Sequence, residues 1–96
     1  GLALEISAEA MRDPDIAARV ARNDAVLRAG VQALLESAAA RGQVDAALDP
    51  AQTAGWIAAL IDGIFNRVAV DPAYAPPAQR ASLHLLLARF LRPALA

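Results

Sequence analysis

The chain has 96 residues, of which 57% are hydrophobic and 20% charged, so it can form one globular domain but hardly two. Nine arginines and ten acidic residues give a net charge of −1, which excludes the strongly basic surface that binds nucleic acid. With no cysteine and one histidine, disulfides and thiolate metal sites are excluded as well. Alanine occurs 26 times, whereas valine, isoleucine and threonine together occur 12 times, which predicts an all-α protein.

Proline and glycine divide the chain into four predicted helices. The first covers residues 2–11 and ends where Asp13 precedes Pro14, because a residue before proline is disfavoured in the α region. The same pair begins the second helix, with Asp13 as the cap and Pro14 in the first helical position. That helix covers residues 14–41, and Gly42 is expected to cap its carboxyl end.

The last two predicted helices are bounded by aspartate and proline in the same way. The third covers residues 50–70, with Asp49 as its cap, and an aspartate–proline pair at residues 71–72 ends it. The fourth covers residues 77–92 and is closed by Pro93. We therefore predict a helical bundle of about four helices.

The second predicted helix carries an apolar stripe that an aspartate interrupts. At about 100° per residue, one arc of the helix collects the side chains of Ile16, Val20, Leu27, Val31, Leu34, Leu35 and Ala38. Asp24 falls within this arc, where a buried carboxylate is costly unless it is paired or hydrated. Either the stripe meets solvent or an arginine at this point, or Asp24 lines a ligand cavity.

The third predicted helix has two different faces. Its large apolar side chains cover one half, and a strip of small residues that includes Gly55 and Gly63 covers the other. Glycine within a helix costs about 1 kcal/mol relative to alanine, so another backbone is expected to approach this strip closely. That backbone belongs either to a helix of the same subunit or to a second subunit.

The leucine content of the fourth helix favours the second subunit, because one packed side of this helix cannot cover all of its leucines. We therefore predict a two-fold symmetric homodimer through the last two helices. The predicted dimer interface comprises Gly55, Ala59, Asp62, Gly63, Asn66, Leu83, Leu87, Phe90 and Leu91.

No side-chain pattern points to catalysis, so we expect no enzyme activity, no cofactor and no metal site. The serines lack a G-x-S-x-G motif, and no glycine-rich phosphate loop is present. Glu5 and Glu9 share a helix face without an E-x-x-H partner, so pairing with Arg12 or Arg19 is expected instead. His84, at the rim of the leucine face, is expected to be packed or hydrogen-bonded rather than to act as a ligand or base.

The chain is not expected to enter a membrane. Its most apolar window covers residues 54–70, and Asp62, Asn66 and Arg67 interrupt it. The amino terminus also lacks the basic region of a signal peptide. We therefore expect a soluble, cytoplasmic protein.

Two segments are similar to those of a known family. Residues 5–14, EISAEAMRDP, resemble the E-x-x-A-E-A-x-R-x-P segment in the C-terminal domains of tetracycline-repressor (TetR) family transcriptional regulators. Residues 59–64, ALIDGI, resemble the A-L-x-D-G-L of the penultimate helix in that family. The long second helix and the Arg41-Gly42 turn fit as well, so the resemblance covers nearly the whole chain.

The resemblance implies a bacterial transcriptional regulator, expected to be a repressor, whose C-terminal helical domain dimerises and binds a small-molecule effector. Residues 1–96 would form that single regulatory domain, and operator DNA would be bound only through an N-terminal helix-turn-helix domain that this chain lacks. In the family the last two helices form a four-helix dimer bundle. The alternative is a helical protein-interaction module without a small-molecule ligand.

The resemblance places the effector pocket among the central helices, which here are the first three predicted helices. Inward-facing positions on these helices combine an adaptable methionine, a large aromatic residue and the misplaced acid, which would suit an apolar effector and allow it to be cationic. The expected lining comprises Ile6, Ala10, Met11, Val20, Asp24, Leu27, Trp56, Leu60 and Ile64.

Overall fold

The computed structural model of the chain describes residues 12–74 and 76–93. These residues form three helices and no strand, namely α1 (Pro14–Ala40), α2 (Pro50–Val70) and α3 (Pro76–Leu91). The all-α prediction is confirmed. The count of about four helices is not, because the first predicted helix, residues 2–11, lies outside the described residues.

Aspartate caps begin α1 and α2 where the sequence predicts them. The Asp13 carboxylate accepts hydrogen bonds from the backbone N–H groups of Asp15, at 2.9 Å, and Ile16, at 3.3 Å. The Asp49 carboxylate accepts one from the N–H of Ala51 at 3.0 Å. Each cap satisfies amides that have no partner within the helix, so both helices start at the following proline.

Gly42 ends α1 in a Schellman motif. Its φ of +73° lies in the left-handed region that favours glycine. The Gly42 N–H donates to the Ala39 carbonyl at 3.0 Å, and the Gln43 N–H donates to the Ala38 carbonyl at 2.9 Å. The chain turns here, and α2 packs against α1.

The α1–α2 pair holds the small core of the described chain. The buried residues among those described lie in the C-terminal half of α1 and the N-terminal half of α2, and they are Leu35, Thr53, Ala54 and Ala58. The predicted stripe of α1 is only partly covered: Leu35 is 7% exposed, but Leu34 is 71% exposed. The expectation that Leu34 faces the core is therefore wrong, because α2 covers a narrower arc of α1 than the stripe spans.

Helix α3 is held at both ends, and its middle stands off from α2. At its amino end the connection from α2 is turned by the Asp71 carboxylate, which accepts a hydrogen bond from the Ala73 N–H at 3.0 Å. At its carboxyl end the Leu91 carbonyl accepts one from the N–H of Asp45, in the loop between α1 and α2, at 2.9 Å. A groove lined by both helices lies between these two ends.

The molecule measures 49 × 32 × 14 Å. Its smallest dimension is about the depth of two packed helices, whose axes lie roughly 8–10 Å apart. A shape this thin leaves most side chains in contact with the surface.

Helix α2 is long and apolar enough to cross a membrane. It has 21 residues, its most apolar 18-residue window has a mean hydropathy of 1.2, and 22% of that window is buried. The prediction that this segment is too short to cross a membrane rests on the window of residues 54–70. The helix itself is longer than that window, because α2 begins at Pro50. Length and composition do not separate such a helix from the core helix of a soluble protein, and Ala54 and Ala58 are buried.

Candidate functional site

Two clefts of about 450 and 240 Å³ lie between α2 and α3, and a third of about 430 Å³ adjoins them and is lined by α2 and Tyr74. Leu60 lines all three, so the clefts adjoin at this side chain. We call this surface the α2–α3 groove and define it by its lining, which comprises Trp56, Ala59, Leu60, Gly63, Ile64, Arg67, Tyr74, Pro77, Gln79, Arg80, Ser82, Leu83, His84, Leu86 and Phe90. The clefts of about 450 and 430 Å³ each fall within the range of roughly 300–1,000 Å³ that is usual for small-molecule sites.

Helical periodicity gives α2 two faces, one toward the groove and one buried. Trp56, Leu60 and Ile64 recur every four residues and therefore lie along one side of the helix, which faces the groove. The buried residues Ala54 and Ala58 lie on another side. The small side chains of Ala54 and Ala58 allow α1 and α2 to approach closely. The larger side chains of Trp56, Leu60 and Ile64 line the groove.

The apolar side chains of the groove are largely exposed. Trp56 is 61% exposed, Leu86 58% and Phe90 40%. Contiguous apolar surface of this kind marks an interaction site, because water in contact with it costs roughly 25 cal/mol per Å². The α2–α3 groove is therefore the candidate interaction surface of the described chain.

The charged side chains that line the groove are basic. Arg67 comes from α2 and Arg80 from α3, and His84 follows Arg80 by one helical turn. No acidic residue lines any of the three clefts, and neither arginine has an ion pair within the described part of the chain. The side chain of His84 is exposed, so the expectation that it is packed or hydrogen-bonded is wrong.

The structure describes six of the nine residues that are expected to line the effector pocket. Trp56, Leu60 and Ile64 face the groove with α3, whereas Val20, Asp24 and Leu27 of α1 line none of its clefts. The other three expected residues, Ile6, Ala10 and Met11, lie outside the described residues. A pocket between α1, α2 and residues 2–11 stays a prediction.

Asp24 forms an ion pair with Arg28 on the surface of α1. The Arg28 Nε donates to the Asp24 carboxylate at 2.8 Å, and the two side chains are 48% and 42% exposed, respectively. On either side of the pair, Val20 is 49% exposed and Leu27 40% exposed. The apolar stripe of α1 therefore meets an arginine and solvent at Asp24, which is the first of the two alternatives given by the sequence.

The predicted dimer interface is open within this chain. A Cβ atom built on Gly55 or Gly63 would meet no atom within 4 Å among the described residues. Close approach of a helix from the same subunit is therefore not seen there, and approach of a second subunit stays a prediction. On the α3 side, Leu83, Leu87 and Leu91 are half-buried, and Phe90 is 40% exposed.

Sequence reasoning missed the contribution of α3 and its preceding loop to the groove. Tyr74, Arg80 and Leu86 line the first cleft with Leu60 and Ile64. The spacing of Arg80 and His84, four residues apart on one side of a helix, is the signal that could have indicated it. The described residues contain no cluster of three or more histidines or acids that could hold a metal ion.

Comparison with known proteins gives one match. The model of the BetI-type transcriptional repressor C-terminal family matches residues 1–94, which include both segments that resemble TetR-family regulators. No curated protein and no solved structure matches the chain. Because the family match covers almost the entire sequence, the chain belongs to the BetI-type C-terminal domains of TetR-family transcriptional regulators.

Proposed function

We propose that this chain is the effector-sensing and dimerisation domain of a bacterial transcriptional repressor. In the full-length protein an N-terminal helix-turn-helix domain would bind operator DNA, and this cytoplasmic, non-enzymatic domain would change that binding when an effector is present. Family membership supports the regulatory role, since C-terminal domains of this kind belong to transcriptional regulators. The observation that carries dimerisation is the open apolar surface of α2 and α3.

A second copy of the chain fits this surface. The strip through Gly55, Ala59 and Gly63 would let two α2 helices approach closely, and the Cβ position of each glycine meets no atom of the described residues within 4 Å. Burying a large apolar side chain contributes roughly 1.5–3 kcal/mol, and two-fold symmetry buries Trp56 and Phe90 twice. These contributions offset an association cost on the order of 4–15 kcal/mol.

Sedimentation equilibrium of the wild type and of Gly63→Leu tests the dimer. We expect the wild type to be a dimer at tens of micromolar and Gly63→Leu to be a monomer, because the new side chain would hold the two α2 helices apart. It should not disturb the described part of the subunit, where no atom lies within 4 Å of a Cβ at this position. Gly30→Leu is the matched control, because Gly30 is equally open but lies on α1.

The outcomes separate the parts of this proposal. A wild-type monomer at tens of micromolar would refute dimerisation. A dimer that survives Gly63→Leu would place the interface elsewhere. The coding sequence upstream of this domain separates the repressor from the alternative of a protein-interaction module, since only the repressor needs a basic helix-turn-helix pattern there.

A further inference from the structure

We propose that acid weakens the homodimer formed through the α2–α3 groove, because dimerisation covers His84 in a surface that offers it no acidic partner. This sensitivity rests on the proposed function, since it is a property of the interface between two copies of the chain. The observation that carries it is the charge of the groove around His84, and its readout is the effect of pH on the dissociation constant of the dimer.

His84 lies on the part of α3 that a second copy would cover. Its side chain lines the cleft of about 450 Å³ together with Leu60 of α2 and Leu83 of α3. At about 100° per residue, His84 also shares a side of α3 with Leu87 and Leu91, which follow it by three and seven residues. The leucines of the predicted dimer interface therefore surround His84.

The side chain of His84 is open to water in the single chain. It is exposed, and no hydrogen bond or ion pair joins it to the described residues. Water can therefore solvate both the neutral and the protonated imidazole in the monomer. Cover by a second copy removes this water, and the loss destabilises the charged form of a side chain more than the neutral form.

The charged side chains nearest to His84 in the groove are basic. Arg80 precedes it by one helical turn on α3 and lines the same cleft. The residues that α2 contributes to this cleft are apolar, the loop before α3 contributes Tyr74, and Arg67 lines the adjoining cleft. Two-fold symmetry would bring the same side chains from the second copy to this surface, so a protonated His84 would gain positive neighbours.

The acidic residues on the elements that border the groove are placed elsewhere. The carboxylates of Asp71, before α3, and of Asp45, beside its carboxyl end, each accept a backbone N–H within their own turns. Asp62 of α2 lies outside all three clefts. A proton on His84 therefore finds no carboxylate in the lining of the groove.

Arg80 and His84 differ in how they respond to being covered. Arginine keeps its charge, but its long apolar stem lets the guanidinium reach water at the rim of an interface. The imidazole ring is held close to the helix, and histidine ordinarily changes its charge between about pH 5 and pH 8. The monomer therefore takes up a proton at His84 more readily than the dimer. By linkage, the dimer is most stable above this range and loses stability as the pH falls through it.

Sedimentation equilibrium of the wild type at about pH 7.5 and about pH 5.5, at constant ionic strength, tests the proposal. Histidines in water lose their proton at about pH 6.5, so two covered histidines set an upper limit of about a hundredfold on the change in Kd. We expect the Kd of the dimer to be about tenfold higher or more at the lower pH. Circular dichroism at both pH values checks that the helical content is unchanged.

Two variants locate the effect. His84→Gln carries no titrating ring, so its dimer should have the same Kd at both pH values, close to that of the wild type at about pH 7.5. The matched control adds Arg89→His to His84→Gln, which moves the one histidine of the chain to another position on α3. Arg89 is exposed and lines none of the clefts, so this change should not restore the pH dependence.

The proposal fails if the wild-type Kd differs by less than roughly twofold between the two pH values, or if the dimer is tighter at the lower pH. Tighter binding would mean that a carboxylate, such as Asp62 of the second copy, pairs with His84. A pH dependence that survives His84→Gln, or that Arg89→His restores, would overturn it too. Each of these results leaves dimerisation intact. A wild type that is monomeric at tens of micromolar at about pH 7.5 instead refutes the dimer, and the acid sensitivity with it.

Discussion

Two glycines, one within α1 and one in its cap, show how the backbone conformation at a residue determines its effect on stability. Gly30 lies within α1, and a Cβ built there meets none of the described residues within 4 Å. Gly42 has equally open space around it, but its φ is +73°. Alanine is therefore free to replace the first glycine, whereas at the second it must adopt a left-handed conformation that L residues disfavour.

Alanine at these two positions should change the stability in opposite directions. Gly30→Ala should raise the free energy of unfolding by about 1 kcal/mol through helix propensity, and Gly42→Ala should lower it by about 1–2 kcal/mol. For a domain of this size, each kcal/mol shifts the Tm by roughly 4–8 °C. Thermal unfolding followed by circular dichroism measures both shifts, and a change of the same sign in the two variants would contradict the argument.

At the scale of the element, α2 is apolar on more than one side. Its Thr53, Ala54 and Ala58 are buried, while Trp56 and Phe65 are 61% and 66% exposed. The sequence pattern predicts two faces on this helix, but which of them meets α1 depends on the small side chains that permit close approach. The larger side chains are left facing α3 and solvent.

Neighbouring leucines of α1 test this packing. Leu35→Ala should lower the free energy of unfolding by about 2–5 kcal/mol, because Leu35 is 7% exposed and its removal leaves a cavity in the small core. Leu34→Ala is the control, since Leu34 is 71% exposed, and it should change the stability by about 0.5 kcal/mol or less. Urea unfolding measures both values. Equal losses would mean that α1 turns a different face toward α2.

At the scale of the whole molecule, the described chain buries little for its length. It is 14 Å thick, and the buried large apolar side chain among the described residues is Leu35. Small domains depend on additional contacts when their own core is limited. Association through the open surface of α2 and α3 would supply such contacts and make the stability depend on protein concentration.

The Tm of the wild type should therefore rise with protein concentration. For a two-state dimer of this size, a tenfold increase in concentration should raise the Tm by roughly 3–6 °C, since it adds about 1.4 kcal/mol to a transition that exposes both subunits. Gly63→Leu should show a much smaller rise. Differential scanning calorimetry at a series of concentrations makes the measurement, and a Tm that is independent of concentration in the wild type would contradict dimerisation.

Much of the local structure of this protein was determined by the sequence itself, because the interactions responsible span only a few residues. Asp13 and Asp49 cap the amides that directly follow them, and Gly42 adopts the φ that ends α1. The segments at residues 5–14 and 59–64 also identified the family, since a family resemblance depends on residue order and spacing and needs no coordinates.

Only the tertiary structure decided which faces these helices use. Periodicity placed Leu34 and Leu35 in one stripe, but the width of the contact with α2 leaves only Leu35 buried. Periodicity places Trp56 and Leu60 on one side of α2, and the position of α3, tied to Asp45 through Leu91, makes them part of the α2–α3 groove. Arg67 and Arg80 are 13 residues apart in sequence and line two different clefts, which share Leu60, Ile64 and Tyr74. A helical pattern specifies the angle of a side chain around its own axis, and only the packing of the helices determines what that side chain faces.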